Sequence, residues 1–530
     1  MSKTIIFDAD ARNRLKIGVD TLANSVKVTM GPGGRNVVIA RDGGLAVTKD
    51  GVSVAREVVL SDHIADVGAQ MVKQVAHKVA QLAGDGTTTA TVLTQEIFNR
   101  GLKAVATGAN PIELKRGMDS ALTEVVDALN RLSIPVKDLT HIHQVATISA
   151  NNDESMGALI TKCMEAVGFD GIITVEQSKS AETYVDIVEG MQFKSGYLSP
   201  YFINSNEKPQ VEFENALILL VDGKVSVLND IVQFLEYSNQ KGRPLLVISE
   251  SVDGDALNTM VLNKLRGTIK AAAVRAPGFG EIRKENLDDI AILTGAKTIS
   301  EREGYTLSET IASEVLGSAS KVIVTADSTT IIGGEGDAES IKERISDINA
   351  QIDNSTNESS ILILKERLAR LDGGVAIIKV GAHSEIEMRE KIDRIDDAIG
   401  ATRAAVEEGI VVGGGVALCK IAETLTPTIA ETQNFEHRLG RTILLESCLA
   451  PFKVILTNAG ESPDAILSEM KNRNQEYNVK AREYCNFIDS GIIDPSKVTR
   501  VALENAVSIA SMMLTTEVLM VQDQTTETKA

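Results

Sequence analysis

Hydrophobic periodicity changes twice along this 530-residue chain, and the order of the changes limits what it can fold into. Up to about residue 130, apolar residues recur every three or four positions, as on amphipathic helices, with one β excursion through Asn36–Ala55. The pattern breaks at Leu132-Ser133-Ile134-Pro135. From about residue 215, strand-like runs alternate with helical segments: Ala216–Val221, Leu245–Ser249, Ile269–Val274 and Val322–Val324. Residues 337–371 read as two antiparallel helices. One carries Ile341, Ile345, Ile348 and Ile352, the other Leu364, Leu368 and Leu371, and Asp353–Ser360 is the polar turn between them. After Gly409 the pattern is helical again almost to the end. A helical, α/β, helical order implies one inserted domain, with the two chain ends forming one unit.

Composition removes several function classes. A chain this long exceeds one hydrophobic core, so about two to four domains are expected. Hydrophobic content of 43% with 24% charged residues fits a soluble globular protein. No apolar run reaches membrane-span length. Met1-Ser2-Lys3-Thr4 begins neither a signal peptide nor an Arg-rich transit peptide, so a cytoplasmic location is expected. A formal charge of −19 opposes nucleic-acid binding, which needs a basic face. Cys163, Cys419, Cys448 and Cys485 lie far apart and make no C-x-x-C pair. Neither a zinc site nor a disulfide framework is expected, and a reducing compartment fits. His141 and His143 find no ligand partner nearby in sequence. There is no G-x-x-x-x-G-K-[ST] and no G-x-G-x-x-G after a strand, so a nucleotide site here is neither a P-loop nor a Rossmann site.

The chemistry concentrates at Gly84-Asp85-Gly86-Thr87-Thr88-Thr89-Ala90-Thr91. A helical pattern through Ile64, Val67, Met71, Val75, Val79 and Leu82 precedes this run, and another through Val92, Ile97 and Leu102 follows it. Glycines permit a sharp turn, and the threonines open the second helix. Unpaired amides and the positive end of the helix dipole then meet hydroxyls and one carboxylate. That combination suits a phosphate, with Asp85 able to hold the accompanying Mg²⁺. Read alone, the run is also compatible with an ordinary helix start. A second segment, Thr29-Met30-Gly31-Pro32-Gly33-Gly34-Arg35-Asn36-Val37-Val38, is followed by Thr48-Lys49-Asp50-Gly51-Val52-Ser53-Val54. It joins a helical pattern to a strand through a Gly/Pro turn.

Together these segments resemble the nucleotide site of the group I chaperonins, the GroEL type. The resemblance continues collinearly at Ala150-Asn151, Val188–Phe193, Gly196–Phe202, Ala276-Pro277-Gly278-Phe279-Gly280, Ala401–Gly409, Gly413-Gly414-Gly415 and Asp494–Arg500. It implies a multidomain α+β and α/β chaperonin subunit. The helical equatorial ATP-binding domain would be 1–131 with 408–530. The small intermediate hinge domain would be 132–188 with 376–407, and the α/β apical domain 189–375. Gly190 with Gly373-Gly374, and Pro135 with Gly409, fall where the family has its hinges.

The resemblance also implies roles. Thr29, Met30, Gly31, Pro32, Lys49, Asp85, Gly86, Thr87, Thr88 and Thr89 would border ATP. The other chain end would supply Gly414, Asn478, Ile492 and Asp494, the last to the ribose hydroxyls. Asp85 would hold Mg²⁺, and main-chain oxygens of Thr29 and Lys49 would take part in a K⁺ site. Asp397 would orient the attacking water, with Asp50 assisting. Tyr197, Ser199, Tyr201, Phe202, Val232, Leu235, Leu257, Val261, Leu262 and Asn263 would form the apical surface for non-native polypeptide. The residues themselves give a separate indication: the apolar arcs of Asp230–Glu236 and Asp255–Leu265 exceed the roughly 100° that one buried face needs. The implied partners are unfolded polypeptides, a co-chaperonin lid and a homo-oligomeric ring of seven subunits, in one or two rings. No nucleic acid or membrane is expected. A small-molecule ATP-dependent enzyme would need a second catalytic cluster, and none is evident. The intact acids oppose a scaffold with a dead ATP site.

Three departures stand out. Val479-Lys480 follow Asn478 where the family has two small residues, and Gly33 replaces a usual lysine. The end, Val521–Ala530, lacks Gly-Gly-Met repeats and reads as a disordered polar tail.

Overall fold

The computed structural model describes residues 3–522 apart from 42–43, 170, 179, 206–208, 301–303 and 356. The expected tail lies, from Asp523 on, outside the described residues. Contacts divide the chain into two compact units. One comprises Met1–Lys162, Val175–Tyr184 and Val380–Ala530, so both chain ends build it. The other comprises Cys163–Thr174 and Val185–Lys379.

The first unit is mainly helical. Helices Asp8–Lys27, His63–Ala83, Thr87–Ala106, Pro111–Leu132, Phe435–Ser447 and Ser496–Leu514 surround a core that includes Leu15, Leu22, Phe98, Met118, Leu444, Val507 and Leu514. Two helix pairs meet backbone to backbone. A Cβ at Gly18 would lie 1.8 Å from the Ala65 carbonyl oxygen, and one at Gly117 would lie 2.3 Å from that of His437. This closeness amends one expectation. Of the helical pattern Ile64, Val67, Met71, Val75, Val79 and Leu82, Val75 and Val79 are buried and Ile64, Val67 and Met71 rest partly buried against the core, but Ala65, Gly68, Ala69, Val72, Ala76 and Ala83 are buried as well and Leu82 is 49% exposed. Small residues win the interface because the neighbouring backbone leaves no room for larger ones.

The β excursion ends earlier than the sequence suggested. Strands Val37–Arg41 and Gly44–Thr48 form an antiparallel hairpin, and Gly51–Glu57 is a helix. Asp50 caps that helix, accepting from Val52 N and Ser53 N. Among the described residues, the helical reading of the chain ends missed three small antiparallel sheets: Lys3–Phe7 with Val518–Gln522, Ile410–Val412 with Ile493–Pro495, and Glu476–Asn478 with Glu483–Cys485.

The second unit carries a mixed sheet. Its strand order is Gly190–Phe193, Thr329–Gly334, Gly317–Val324, Val211–Val225, Leu245–Val252 and Ala271–Arg275. The last three run parallel and the others antiparallel. The four expected strands are all present, and Val211–Val225 is much longer than Ala216–Val221. Its first residues alternate in burial, while Ala216–Val221 is buried throughout. Only the middle of the strand therefore showed as a continuous apolar run. Helices Ala338–Asn354 and Glu358–Asp372 occupy the expected positions. Ile341, Ile348 and Leu371 are buried, and Ile345, Ile352, Leu364 and Leu368 rest against the same core. A buried Arg367 also joins this pair to Gly280–Thr294, donating to Asp289 at 2.8 and 2.9 Å.

Candidate functional site

Asp62 caps the N-terminus of His63–Ala83, and Gly84 ends that helix in the left-handed region at φ 74°. Gly86, at φ 86°, caps Thr87–Ala106 without a side-chain hydrogen bond. The first helical bond there runs from Ala90 N to Gly86 O, and among the described residues no side chain takes up the first-turn amides of Thr87, Thr88 and Thr89. Threonine in this first turn thus follows from an uncapped start that keeps donors available to an anion.

Four carboxyl groups gather around this start, all within the first unit. Asp85 accepts from the Ser149 hydroxyl at 2.6 Å and from the Gly86 amide. Loss of hydration still raises its pKa, and Asp50 adds to the rise. Thr88 brings the Asp50 loop close: a Cβ at Gly51 would lie 2.1 Å from Thr88 Oγ1. Asp397 comes from helix Glu385–Glu408. Its pKa stands well above the usual carboxylate range, chiefly through desolvation, then through Asp50 and Asp85. Desolvation and then Asp85 push Asp494 up to about 6, against amide donors from Gly415 and Gly414. Asp494 sits in a short ladder, Ile410–Val412 with Ile493–Pro495, that brings the Gly413-Gly414-Gly415 turn beside it.

The structure thus brings Asp50, Asp85, Asp397 and Asp494 into one electrostatic neighbourhood, with the Thr87–Thr89 amides nearby. Like charges held this close favour a cation. Among the described residues, no three of His, Cys, Asp and Glu are arranged to hold a metal by themselves. A divalent ion fits only as one that takes Asp85 and completes its shell with phosphate oxygens and water.

The remaining expected residues form the surroundings. Thr29 is buried, and its hydroxyl donates to Val26 O at 2.9 Å. Met30 is half-buried, and Gly31 and Pro32 are exposed. Lys49 precedes the Asp50 cap. Asn478 ends a short strand, and its side chain accepts from Lys480 N and Ala481 N. Ile492 packs with Phe487 and Tyr477. Motif reading assigned no role to Asn458, whose Nδ2 donates to Lys27 O at 2.8 Å and Met30 O at 2.9 Å and fixes the Thr29–Pro32 turn. A lone asparagine far along the chain gave no signal. Gly33 also gains a reason: a Cβ there would lie 2.9 Å from the Ala459 backbone.

In the second unit, the apical candidates divide by burial. Tyr201 is 60% exposed and Leu262 53%. Tyr197, Val232, Leu257, Val261 and Asn263 are half-buried. Phe202 is fully buried, and Ser199 and Leu235 nearly so. These three, expected on the surface, lie under it instead. An aromatic ring beside exposed Tyr201 had the same sequence signature as a surface ring, but the 3₁₀ turn Pro200–Phe202 points it into the sheet core.

A sequence model of the TCP-1/cpn60 chaperonin family matches residues 22–524. Two crystal structures of the chaperonin gp146 from bacteriophage EL 2 (Pseudomonas aeruginosa), both in the presence of ATP-BeFx, share the fold. Crystal form II matches with a TM-score of 0.70 at 21% identity, covering 98% of this chain and 99% of that one. Crystal form I matches with a TM-score of 0.64 at 20% identity over the same shares.

Proposed function

Since the chain belongs to the TCP-1/cpn60 chaperonin family and is of the group I type, we propose that it is an ATP-driven foldase that captures non-native polypeptides and promotes their folding. The observation that carries this reading is that the helix bearing Asp397 packs through Gly400 on the Gly84 turn, where the charges of Asp50 and Asp85 reach Asp397, beside an uncapped helix start. The phage relative, crystallised with ATP-BeFx, is consistent with nucleotide use.

In this reading the Thr87–Thr89 amides and hydroxyls hold the phosphates, and Asp494 takes the ribose hydroxyls. Thr29, Met30, Gly31, Pro32, Lys49, Gly414, Asn478 and Ile492 enclose the nucleotide. Mg²⁺ on Asp85 supplies charge neutralisation for phosphoryl transfer. Main-chain oxygens of Thr29 and Lys49 contribute to a K⁺ site. Asp397 orients the attacking water and accepts its proton, and Asp50 assists. The three-domain division at 131/132, 188/189, 375/376 and 407/408 makes Asp397 part of a segment that swings about Pro135 and Gly409. Gly409 suits that role: it has φ 78°, and a Cβ there would lie 2.4 Å from Ser133 Oγ.

Tyr201 and Leu262, with the half-buried residues between them, form the capture surface, and a co-chaperonin lid competes for it. Assembly into a ring of seven has physical support in two small sheets. Val38 and Leu45 on one hairpin, and Ile5, Phe7 and Met520 on the terminal sheet, are each 47–62% exposed. Apolar faces of this kind are covered by association. Among the described residues no helix is long and apolar enough to cross a membrane, and the four cysteines are free thiols. A reducing cytoplasm suits such a protein.

The test is ATP hydrolysis with and without a denatured client, together with recovery of that client's activity. Hydrolysis with ATP-dependent recovery is the expected result. Client binding without hydrolysis would reduce the protein to a holdase.

A further inference from the structure

Gly400 lies inside helix Glu385–Glu408, a position where glycine is disfavoured relative to alanine. It is flanked by buried Ala398, Ile399, Ala401 and Thr402, so this stretch is an interface. Its partner is Gly84, the residue before Asp85. A Cβ at Gly400 would lie 2.6 Å from Gly84 Cα and 3.1 Å from its carbonyl carbon. A Cβ at Gly84 would lie 2.4 Å from Gly400 Cα. Non-bonded carbons settle at about 3.5–4.0 Å, so even one methyl group would push the two segments apart by roughly 1 Å. Both sides of the contact are main chain, and no rotamer change can relieve it. Asp397 sits three residues earlier, on the same helix face.

We infer that Gly400 is a positioning residue: its missing side chain is the gap that lets helix Glu385–Glu408 seat on the Gly84 turn and so brings Asp397 to Asp85 and Asp50. The inference rests on the ATPase reading above for its role in turnover, while the contact itself can be tested separately. Gly84 is the poorer place for a test, because its φ of 74° strains any other residue. Gly400 has ordinary helical backbone, so alanine there favours the helix and disturbs only the contact.

The experiment uses the full chain with Gly400→Ala and Gly400→Ser. Three quantities are read: ATP affinity, single-turnover hydrolysis with Mg²⁺, and amide exchange of Gly84–Thr89 without nucleotide. Hydrolysis should fall roughly tenfold or more while ATP affinity changes less than about threefold. The Gly84–Thr89 amides should exchange faster, and melting temperature should fall only modestly, since the helix gain from alanine partly offsets the local clash. A Gly400→Ala protein that matches the wild type in both hydrolysis and exchange overturns the inference. A wild-type protein that fails to hydrolyse ATP overturns the ATPase reading instead, and amide exchange alone then decides whether the contact depends on glycine.

Discussion

A charge on Asp397 is opposed by lost hydration and by the like charges of Asp50 and Asp85. In the proposed mechanism, a divalent cation beside Asp85 would offset the like-charge repulsion and favour the charged form of Asp397. Asp397→Ala should therefore nearly abolish single-turnover hydrolysis and leave ATP affinity largely intact. Near-normal hydrolysis in that variant would discard its role. Asp494 offers a pH test in chelator without nucleotide. Its pKa of about 6 exceeds the ordinary value of 3.8, so the folded state binds this proton more tightly than the unfolded state does. The resulting destabilisation is absent below about pH 4, grows as pH rises, and is complete above about pH 6. Asp494→Asn keeps an acceptor for the Gly414 and Gly415 amides and removes the charge. It should stabilise the apo protein by roughly 1–3 kcal/mol at pH 7.5, and the gain should shrink towards pH 4.5. Thermal melts across that range check this, and a variant less stable at every pH contradicts it. Single residues were legible in sequence where they belonged to a dense motif, as Asp85 and Thr87–Thr89 did. Ser149, Asn458 and Gly400 were not, because their importance comes from what the fold places opposite them.

At the scale of elements, helix Gly254–Leu265 presents Leu262 outward and buries Ala256 and Met260. Val261 is half-buried between these extremes. Val261→Ser with Leu262→Ser should weaken capture of denatured protein with only a modest loss of melting temperature. Phe202→Ala should instead remove about 3–5 kcal/mol of stability, because the ring fills the sheet core. Light scattering of an aggregating client, read beside thermal melts, separates the two effects. A large stability loss from the serine pair would assign that helix face to the core. The wide apolar arc was legible in sequence for Gly254–Leu265, where Leu262 and Leu265 stay exposed, whereas the arc of Leu228–Lys241 is used up in the core by Ile231, Phe234 and Leu235. What it hid was depth: Phe202 and Tyr201 are adjacent and aromatic, and only the turn that holds them makes one core and the other surface. The terminal strands Lys3–Phe7 and Val518–Gln522 were illegible for another reason. Each is five residues long, and its partner lies at the opposite end of the chain.

At the scale of the whole molecule, the proposed ring assembly makes the strength of a ring–ring contact testable. In the resemblance, Lys453 matches a base that meets an acid across the ring–ring contact, and that acid's position is Ser462, with Glu461 beside it. The structure gives both charges partners within the subunit. Lys453 Nζ lies 2.9 Å from Asp464 Oδ1, while Glu461 accepts from Tyr477 Oη at 3.3 Å and lies 3.8 Å from Arg482. Glu385, matched to an acid that pairs between neighbouring apical domains, lies 2.9 Å from Arg389 on its own helix, and Ser195 stands where the family has the partner arginine. Each exposed pair is worth only about 0–1 kcal/mol. A symmetric ring repeats each loss in every subunit, so the sum can decide whether two rings stay stacked. Single rings should therefore be populated in at least one of the apo, ADP and ATP states, with easier apical opening. Lys453→Ala should change this balance little, because its charge is already used locally. Native mass measurement across the three states, at low and high salt, reads the result directly. Double rings intact under every condition would show that contacts other than these charges hold the particle together.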